Sequence, residues 1–394
     1  MFAALSPVRK RTRPLLAAVA ALFLAACDAS MLGPLGANGG GGPSVDPNAP
    51  IQVALLIPKS DSGAAPVAQS LENAVRLAIA ENPDVTFDLR VYDTAGSPNT
   101  AAAQAQRAVD EGAKIILGPL FGEAANAAGL TVLDEGVNVL SFSNNPSIAG
   151  GNVFVLGPTF QNTANRLLRY ARTQGDQTVA VVYSDDVPGQ FGRLAVERAA
   201  TAAGMTVTAA QGYALSVEGV NAAAQAISAA AAQADSLMIT TDATNAAMPM
   251  LLRTLPDNGV SAANTQYIGL TRLDVRPDLF SLPGAEGMWF TLPNQSRQDS
   301  FAARYRNAFS TTAHPLAGLG YDGIAAIAAL AKQGRRDALT ARGLTQANGF
   351  NGTGGLFRLL PDGSNERALA VAAVRNNQVV ILDPAPNGFG GAGF

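Results

Sequence analysis

From Ile51 onward the chain alternates short apolar runs with longer segments whose apolar residues recur at helical spacing. Ile51-Gln52-Val53-Ala54-Leu55-Leu56-Ile57 is nearly continuous in its hydrophobicity and is stopped by Pro58, the pattern of a strand covered on both faces. Leu71, Val75, Ala78 and Ile79 then mark a helix. The cycle returns with a strand over 88–93 and a helix carried by Ala101, Ala105, Ala108 and Val109. A third strand over 114–117 is closed by Gly118-Pro119, and another helix leads to a strand over 138–142. Strands separated by helices at this rhythm predict βαβ units around a parallel sheet, joined by right-handed crossovers.

The rhythm then restarts. Val179 to Tyr183 predicts a strand, Phe191 to Ala203 a helix, and strands follow over 206–212, 236–239 and 266–269 with helices between. Gly287 to Leu292 reads as a return strand between the two series. The expected fold class is α/β, with two doubly wound parallel-sheet lobes.

What precedes Ile51 is of a different kind. Arg9, Lys10, Arg11 and Arg13 form a basic cluster, an apolar stretch runs from Leu15 to Ala26, and small residues lead into Cys27. A basic region, a short apolar region and a small-residue cleavage site predict a secretory signal peptide over 1–26, too short for a transmembrane helix. Leu24-Ala25-Ala26-Cys27 resembles the lipobox of bacterial lipoproteins, which implies lipidation of Cys27 and a membrane anchor. Asp28 resembles the inner-membrane retention signal of enterobacterial lipoproteins, so the expected location is the periplasm, lipid-anchored, leaning to the inner membrane. Residues 27–50 are rich in Gly, Pro, Ala, Asn and Ser and predict a flexible tether. A tail over 387–394 is expected to be disordered.

With a single cysteine in the chain no disulfide framework is available, so the core alone must hold the lobes. The 27 basic and 30 acidic residues, less the four basic ones of the leader, leave a net charge of −7. A mildly acidic surface without a basic stripe argues against nucleic-acid binding. A catalytic or metal-dependent reading finds little material. His314 is the only histidine, which together with Cys27 cannot form a zinc set and lacks a nucleophile and an orienting group. Gly118-Pro119-Leu120-Phe121-Gly122 has neither the dinucleotide fingerprint nor the P-loop Lys-Ser/Thr. Asp185-Asp186 precedes Pro188-Gly189 and reads as a turn or cap. The expectation is a non-enzyme without cofactor or metal.

Several segments carry a family likeness. Val91-Tyr92-Asp93-Thr94, Gly112 to Leu120 and Ser141-Phe142-Ser143-Asn144-Asn145 resemble the first domain of type I periplasmic binding proteins, the leucine-binding family. Gly320-Tyr321-Asp322 and Gly352 to Arg358 with Asp362-Gly363 resemble that family's C-terminal pattern. Among such proteins the chain looks most like the lipoproteins called penicillin-binding-protein activators. The likeness implies a three-crossover hinge, with lobe one at 51–157 plus 291–362 and lobe two at 158–290 plus 363–386.

Ligands of open α/β sheets bind beyond the carboxyl ends of the strands. In lobe one those ends offer Lys59 and Ser62, then Phe121-Gly122, then Ser143-Asn144-Asn145, with helix N-termini that would welcome a carboxylate. In lobe two the resemblance points to Phe191 and Thr271. Phe121 stands where relatives place a small hydroxyl residue, which counts against a zwitterionic amino acid. Each residue has a plainer reading: aromatic packing for Phe121 and Phe191, a turn for Ser143 to Asn145, a solvated loop for Lys59. Three functions remain open on this evidence. They are a regulator acting on a penicillin-binding protein in peptidoglycan synthesis, the solute-binding component of an amino-acid-type importer with an ABC permease as partner, and a sensor of cell-wall fragments.

Overall fold

The computed structural model describes residues 43–390. The signal peptide, Cys27, Asp28 and residues 391–394 of the tail lie outside them. The first parallel sheet contains β1 (Ile51–Ile57), β2 (Phe87–Asp93), β3 (Ile115–Leu117), β4 (Val139–Ser141) and β5 (Val153–Val155), in the order β2-β1-β3-β4-β5. Its connecting helices are α1 (Ala65–Ala80), α2 (Pro98–Asp110) and α3 (Gly122–Thr131). β1 shows why its sequence is continuously apolar. Val53, Leu55 and Ile57 join Leu71 and Val75 of α1, while Ala54 and Leu56 point oppositely and join Ala105, Ala108 and Ala128 from α2 and α3.

After β5 the chain passes into a second sheet. It holds β6 (Thr178–Ser184), β7 (Thr206–Tyr213), β8 (Ser236–Ile239), β9 (Gln266–Gly269) and β10 (Trp289–Leu292), joined by α4 (Phe160–Gln174), α5 (Val187–Ala203), α6 (Val217–Ala231) and α7 (Ala247–Asp257). The chain then returns to the first lobe with α8 (Gln295–Phe309), α9 (Ala317–Ala331), α10 (Ala341–Leu344) and an antiparallel sheet of β11 (Phe350–Gly352), β12 (Gly355–Leu359) and β13 (Asn365–Arg367). Phe350 and Phe357 join the core that also buries Ile324 and Ile327 of α9. A last passage leads to the hairpin β14 (Ala370–Arg375) and β15 (Gln378–Asp383), which completes the order β15-β14-β10-β9-β8-β6-β7. The two doubly wound lobes and the three passages between them agree with the expected fold class.

Two tight places show how local sequence serves this arrangement. At the end of β3, Gly118 has φ +88, and a Cβ there would stand 2.1 Å from the Leu56 carbonyl oxygen, so only glycine fits. α4 begins with a capping box, in which Thr159 and Asn162 satisfy each other's backbone N–H groups.

The passages are bonded to one another by buried polar groups. Asn365 Nδ2 donates to the carbonyls of Val155 at 2.7 Å and Gly157 at 2.9 Å. Asn162 Nδ2 in turn donates to the Asn365 carbonyl at 2.7 Å. Arg367 donates to the Leu156 carbonyl and lies 3.5 Å from Asp322, itself only 2% exposed. Burial pushes the Asp322 carboxyl above its ordinary value, opposed by Arg367 and by the Thr353 N–H.

Four boundaries differ from expectation. β10 belongs to the second sheet as far as Leu292, and β13 is still paired with β12. The passages therefore fall a few residues later than 290 and 362. A strand cannot leave its sheet before its ladder hydrogen bonds end. Residues 43–50 are not free tether throughout, because Val45 is buried in the first lobe's core and its N–H donates to the Arg336 carbonyl. One apolar side chain suffices to dock a Gly/Pro-rich stretch when a cavity awaits it. Likewise residues 387–390 are placed: the Arg358 guanidinium stacks 4.5 Å from the centre of the Phe389 ring, which also closes over Gly349.

Asn365→Ala removes two donors from buried carbonyls and is expected to destabilise the protein by about 2 kcal/mol. The measurement is urea unfolding of wild type and variant, read as a lower midpoint at unchanged m-value.

Candidate ligand-binding cavity

At the carboxyl end of the first sheet lies a cavity of about 490 Å³. Its floor and walls come from the β1–α1 turn (Asp61, Gly63, Ala64), the first turn of α1 (Val67), the β3–α3 turn (Leu120, Phe121) and the end of β4 (Phe142, Ser143, Asn144). Pro158 of the first passage and Leu316 before α9 close the sides. The carboxyl end is where strand-to-helix turns leave space and free polar groups in a parallel sheet.

The β3–α3 and β4 ends are built into one unit. Ser141 Oγ donates to the Pro119 carbonyl at 3.2 Å, and the Phe142 N–H donates to the same carbonyl at 3.0 Å. Ser143 N–H donates to Ser141 Oγ, and Ser143 Oγ accepts from the Asn145 N–H at 3.0 Å. Asn145 Oδ1 caps the short turn that follows by accepting from Ser147 N–H and Oγ. Gly122 packs against both Ser143 Oγ and Asn145. Phe121 and Gly122 therefore do meet Ser143, Asn144 and Asn145, but the division of labour differs within the group. Phe121, Ser143 and Asn144 face the cavity, whereas Gly122 and Asn145 support the turns behind it. Phe121 is 41% exposed, which sets it apart from lobe-core packing.

The β1–α1 turn departs further from expectation. Ser62 is exposed and off the cavity wall, and its neighbours Asp61 and Gly63 line it instead. Lys59 is drawn away from the cavity by Glu72, with Nζ 2.9 Å from Oε2. Burial tends to raise the Glu72 carboxyl, but hydrogen bonds from Lys59 and Arg76 outweigh it and hold the group below its ordinary value of 4.5. The lysine thus compensates a nearly buried acid and is not offered to an anion. The α1 N-terminus is also less welcoming to a carboxylate than its position implied. Asp61 Oδ1 accepts from the N–H groups of Gly63 and Ala64, each at 2.9 Å, and the Asp61 carbonyl takes the N–H of Ala65. Asp61 thus occupies the N–H groups by which the chain enters the helix and places a negative charge there.

Neither lobe-two candidate reaches this cavity. Thr271 Oγ1 donates to the Thr241 carbonyl at 3.1 Å and accepts from the Ala243 N–H at 3.2 Å, so it pins one loop to the next. Phe191 is partly buried in α5, where Asp186 Oδ1 accepts from the Gly189 N–H to cap the helix. His314 Nδ1 accepts from the Leu316 N–H and organises the entry to α9. No group of histidine, cysteine and carboxylate side chains suited to a metal occurs among the described residues. Asp61, Val67, Phe142, Pro158 and Leu316 were not singled out in the sequence. For Asp61 a signal existed, since Asp-Ser-Gly before a helix is an Asx-turn pattern.

The periplasmic binding protein family matches residues 50–378, and the chain belongs to it. Solved structures agree on the fold. A branched chain amino acid ABC transporter periplasmic ligand-binding protein from Burkholderia xenovorans superposes with a TM-score of 0.65 at 15% identity, over 86% of this chain and 97% of its own. An ABC transporter substrate-binding protein from Desulfitobacterium hafniense in complex with Leu gives 0.60 at 20% identity, over 85% and 100%. A solute binding protein of an ABC transporter from Rhodopseudomonas palustris in complex with 3,4-dihydroxybenzoic acid gives 0.54 at 18%, over 86% and 98%. No curated protein matches the chain. Neither the family match nor these structures supports the likeness to penicillin-binding-protein activators.

Because Lys59 and Arg76 hold Glu72 below its ordinary value, their contribution to stability is complete above pH 4.5 and is lost as pH falls through the lowered value. Lys59→Ala should cost about 1 kcal/mol at pH 7, with Arg76 still in place. The difference from wild type should shrink below the lowered value, as thermal unfolding at a series of pH values would show. A Lys59 that instead served a cavity ligand would leave the unliganded protein's stability unchanged.

Proposed function

We propose that this protein is a non-catalytic solute-binding component of an ABC-type importer, working in the periplasm and held to the membrane through a lipid on Cys27. The observation that carries the reading is the cavity of about 490 Å³ at the carboxyl end of the first sheet, beside the passages that join the lobes. Its size suits an amino-acid-sized or aromatic solute. On this reading lobe one, about 51–157 with 293–367, receives the solute, and lobe two, about 158–292 with 368–386, closes over it by bending at the passages. Phe121, Ser143 and Asn144 are the contacts, and an ABC permease is the partner.

The membership of the periplasmic binding protein family and its importer-associated structural relatives favour this reading over regulation of a penicillin-binding protein. The family match also supports a binding role.

The test is thermal unfolding of the purified full-length chain against panels of amino acids, aromatic acids, amines, small peptides and peptidoglycan fragments. A ligand at a hundred times its Kd adds about 2.7 kcal/mol, a shift of a few degrees for lobes of this size. A ligand whose shift Phe121→Ala and Asn144→Ala weaken together supports the reading. A folded protein that no solute stabilises, but that retains a penicillin-binding protein in pull-down, would overturn it in favour of the activator role.

A further inference from the structure

The cavity wall has an unusual charge balance. Asp61 is the only charged side chain among the lining residues, and no Lys or Arg stands with it. The nearest lysine in sequence, Lys59, is bound to Glu72. Asp61 Oδ1 is occupied by two backbone N–H groups, whereas none of the hydrogen bonds found among the described residues falls on Oδ2. That second oxygen sits beside Gly96, against the same point as the Phe121 ring edge: a Cβ on Gly96 would stand 2.6 Å from Oδ2 and 3.4 Å from Phe121 Cε2. A carboxylate oxygen with spare acceptor capacity and an exposed aromatic ring thus come together beside Gly96, on two residues that both line the cavity. Of the remaining lining residues Val67, Leu120, Phe142, Pro158 and Leu316 are apolar, and Ser143 and Asn144 are polar but uncharged.

Part of what would favour an anion is already spent, and no Lys or Arg on the wall replaces it. The first N–H groups at the start of α1 are taken by Asp61 itself. The α3 N-terminus, next to Phe121, has no side-chain cap but carries Glu123 in its first turn, whose charge lowers the positive potential of the helix end. We infer that the cavity selects organic cations: a primary or substituted ammonium group on a compact apolar body, with the ammonium bonded to Asp61 Oδ2 and resting against the Phe121 ring. A solute whose only charge is a carboxylate would face Asp61 unpaired. This inference rests on the solute-binding reading and narrows it to a chemical class.

Charge-matched pairs test it. Benzylamine against benzoate, and isoamylamine against isocaproate, would be titrated into the full-length protein by calorimetry, for wild type, Asp61→Asn and Phe121→Leu. Asp61→Asn is chosen because asparagine keeps the Oδ1 acceptor that shapes the turn, and circular dichroism would check that it folds as wild type does. The expected result is that each amine binds at least about tenfold more tightly than its acid, and that Asp61→Asn removes most of that gap. Phe121→Leu should weaken the amines more than the acids. Acids that bind as well as their amines, or an amine affinity that Asp61→Asn leaves unchanged, would overturn the inference while leaving solute binding intact. Binding of none of the four probes to a folded protein would overturn it as well, and the broader panel above would then decide the solute-binding reading separately.

Discussion

Asn365 and Arg367 hold together the part of the molecule on which everything else depends. Both lie on the last strand before the third passage, and both donate to carbonyls of the first passage, at Val155, Leu156 and Gly157. Asn162, at the start of the second lobe, returns a bond to the Asn365 carbonyl. These bonds tie together the segments through which the chain passes from one sheet to the other. The side-to-side bonding of two passages gives the joint a defined position at a site where buried carbonyls require donors. Arg367 is itself nearly buried and is matched by Asp322, which is in turn bonded by the Thr353 N–H. The Asn365 Oδ1 and Arg367 Nε atoms of this cluster have no partner, which marks the joint as a place where polar groups are crowded and incompletely satisfied.

The cavity inherits its position from this joint. Pro158 follows directly on Gly157, whose backbone passes so close to the Ser143 carbonyl that a Cβ would stand 2.4 Å away. The end of β4 and the start of the first passage are therefore in direct contact, and Ser143 and Asn144 are presented at the cavity by the same turn that steers the chain into the second lobe. Any movement at the passage is felt at the cavity wall. The second lobe contributes no side chain to that wall, and its own strand ends are busy with internal bonds such as those of Thr271.

Much of this was legible in the residues. The double series of strand and helix patterns, the parallel sheets and the turns at Phe121-Gly122 and Ser143-Asn144 follow from short-range periodicity, and the sheets need little more than buried strands with helices to cover them. Less legible were the β14–β15 hairpin and the small sheet of β11 to β13. Their strands are short, Gly-punctuated and paired with neighbours far away or across a turn, so no single window carries their pattern. Also less legible was the β1–α1 turn, where the sequence pointed to Lys59 and Ser62 and the cavity is lined by Asp61 and Gly63. All four lie in one turn, and which of them faces the cavity depends on where Glu72 sits on the next helix.

Periodicity and composition decided the class of fold and the number of lobes, because both depend on residue types and their spacing along the chain. The charge presented to a ligand was settled elsewhere. It rests on Lys59 being claimed by an acid thirteen residues on, on Asp61 turning one oxygen to its own helix and leaving the other against Gly96, and on Phe121 remaining half in solvent. These are relations between atoms brought together by packing, where a few ångströms separate a paired charge from an open one, and spacing along a chain does not encode them.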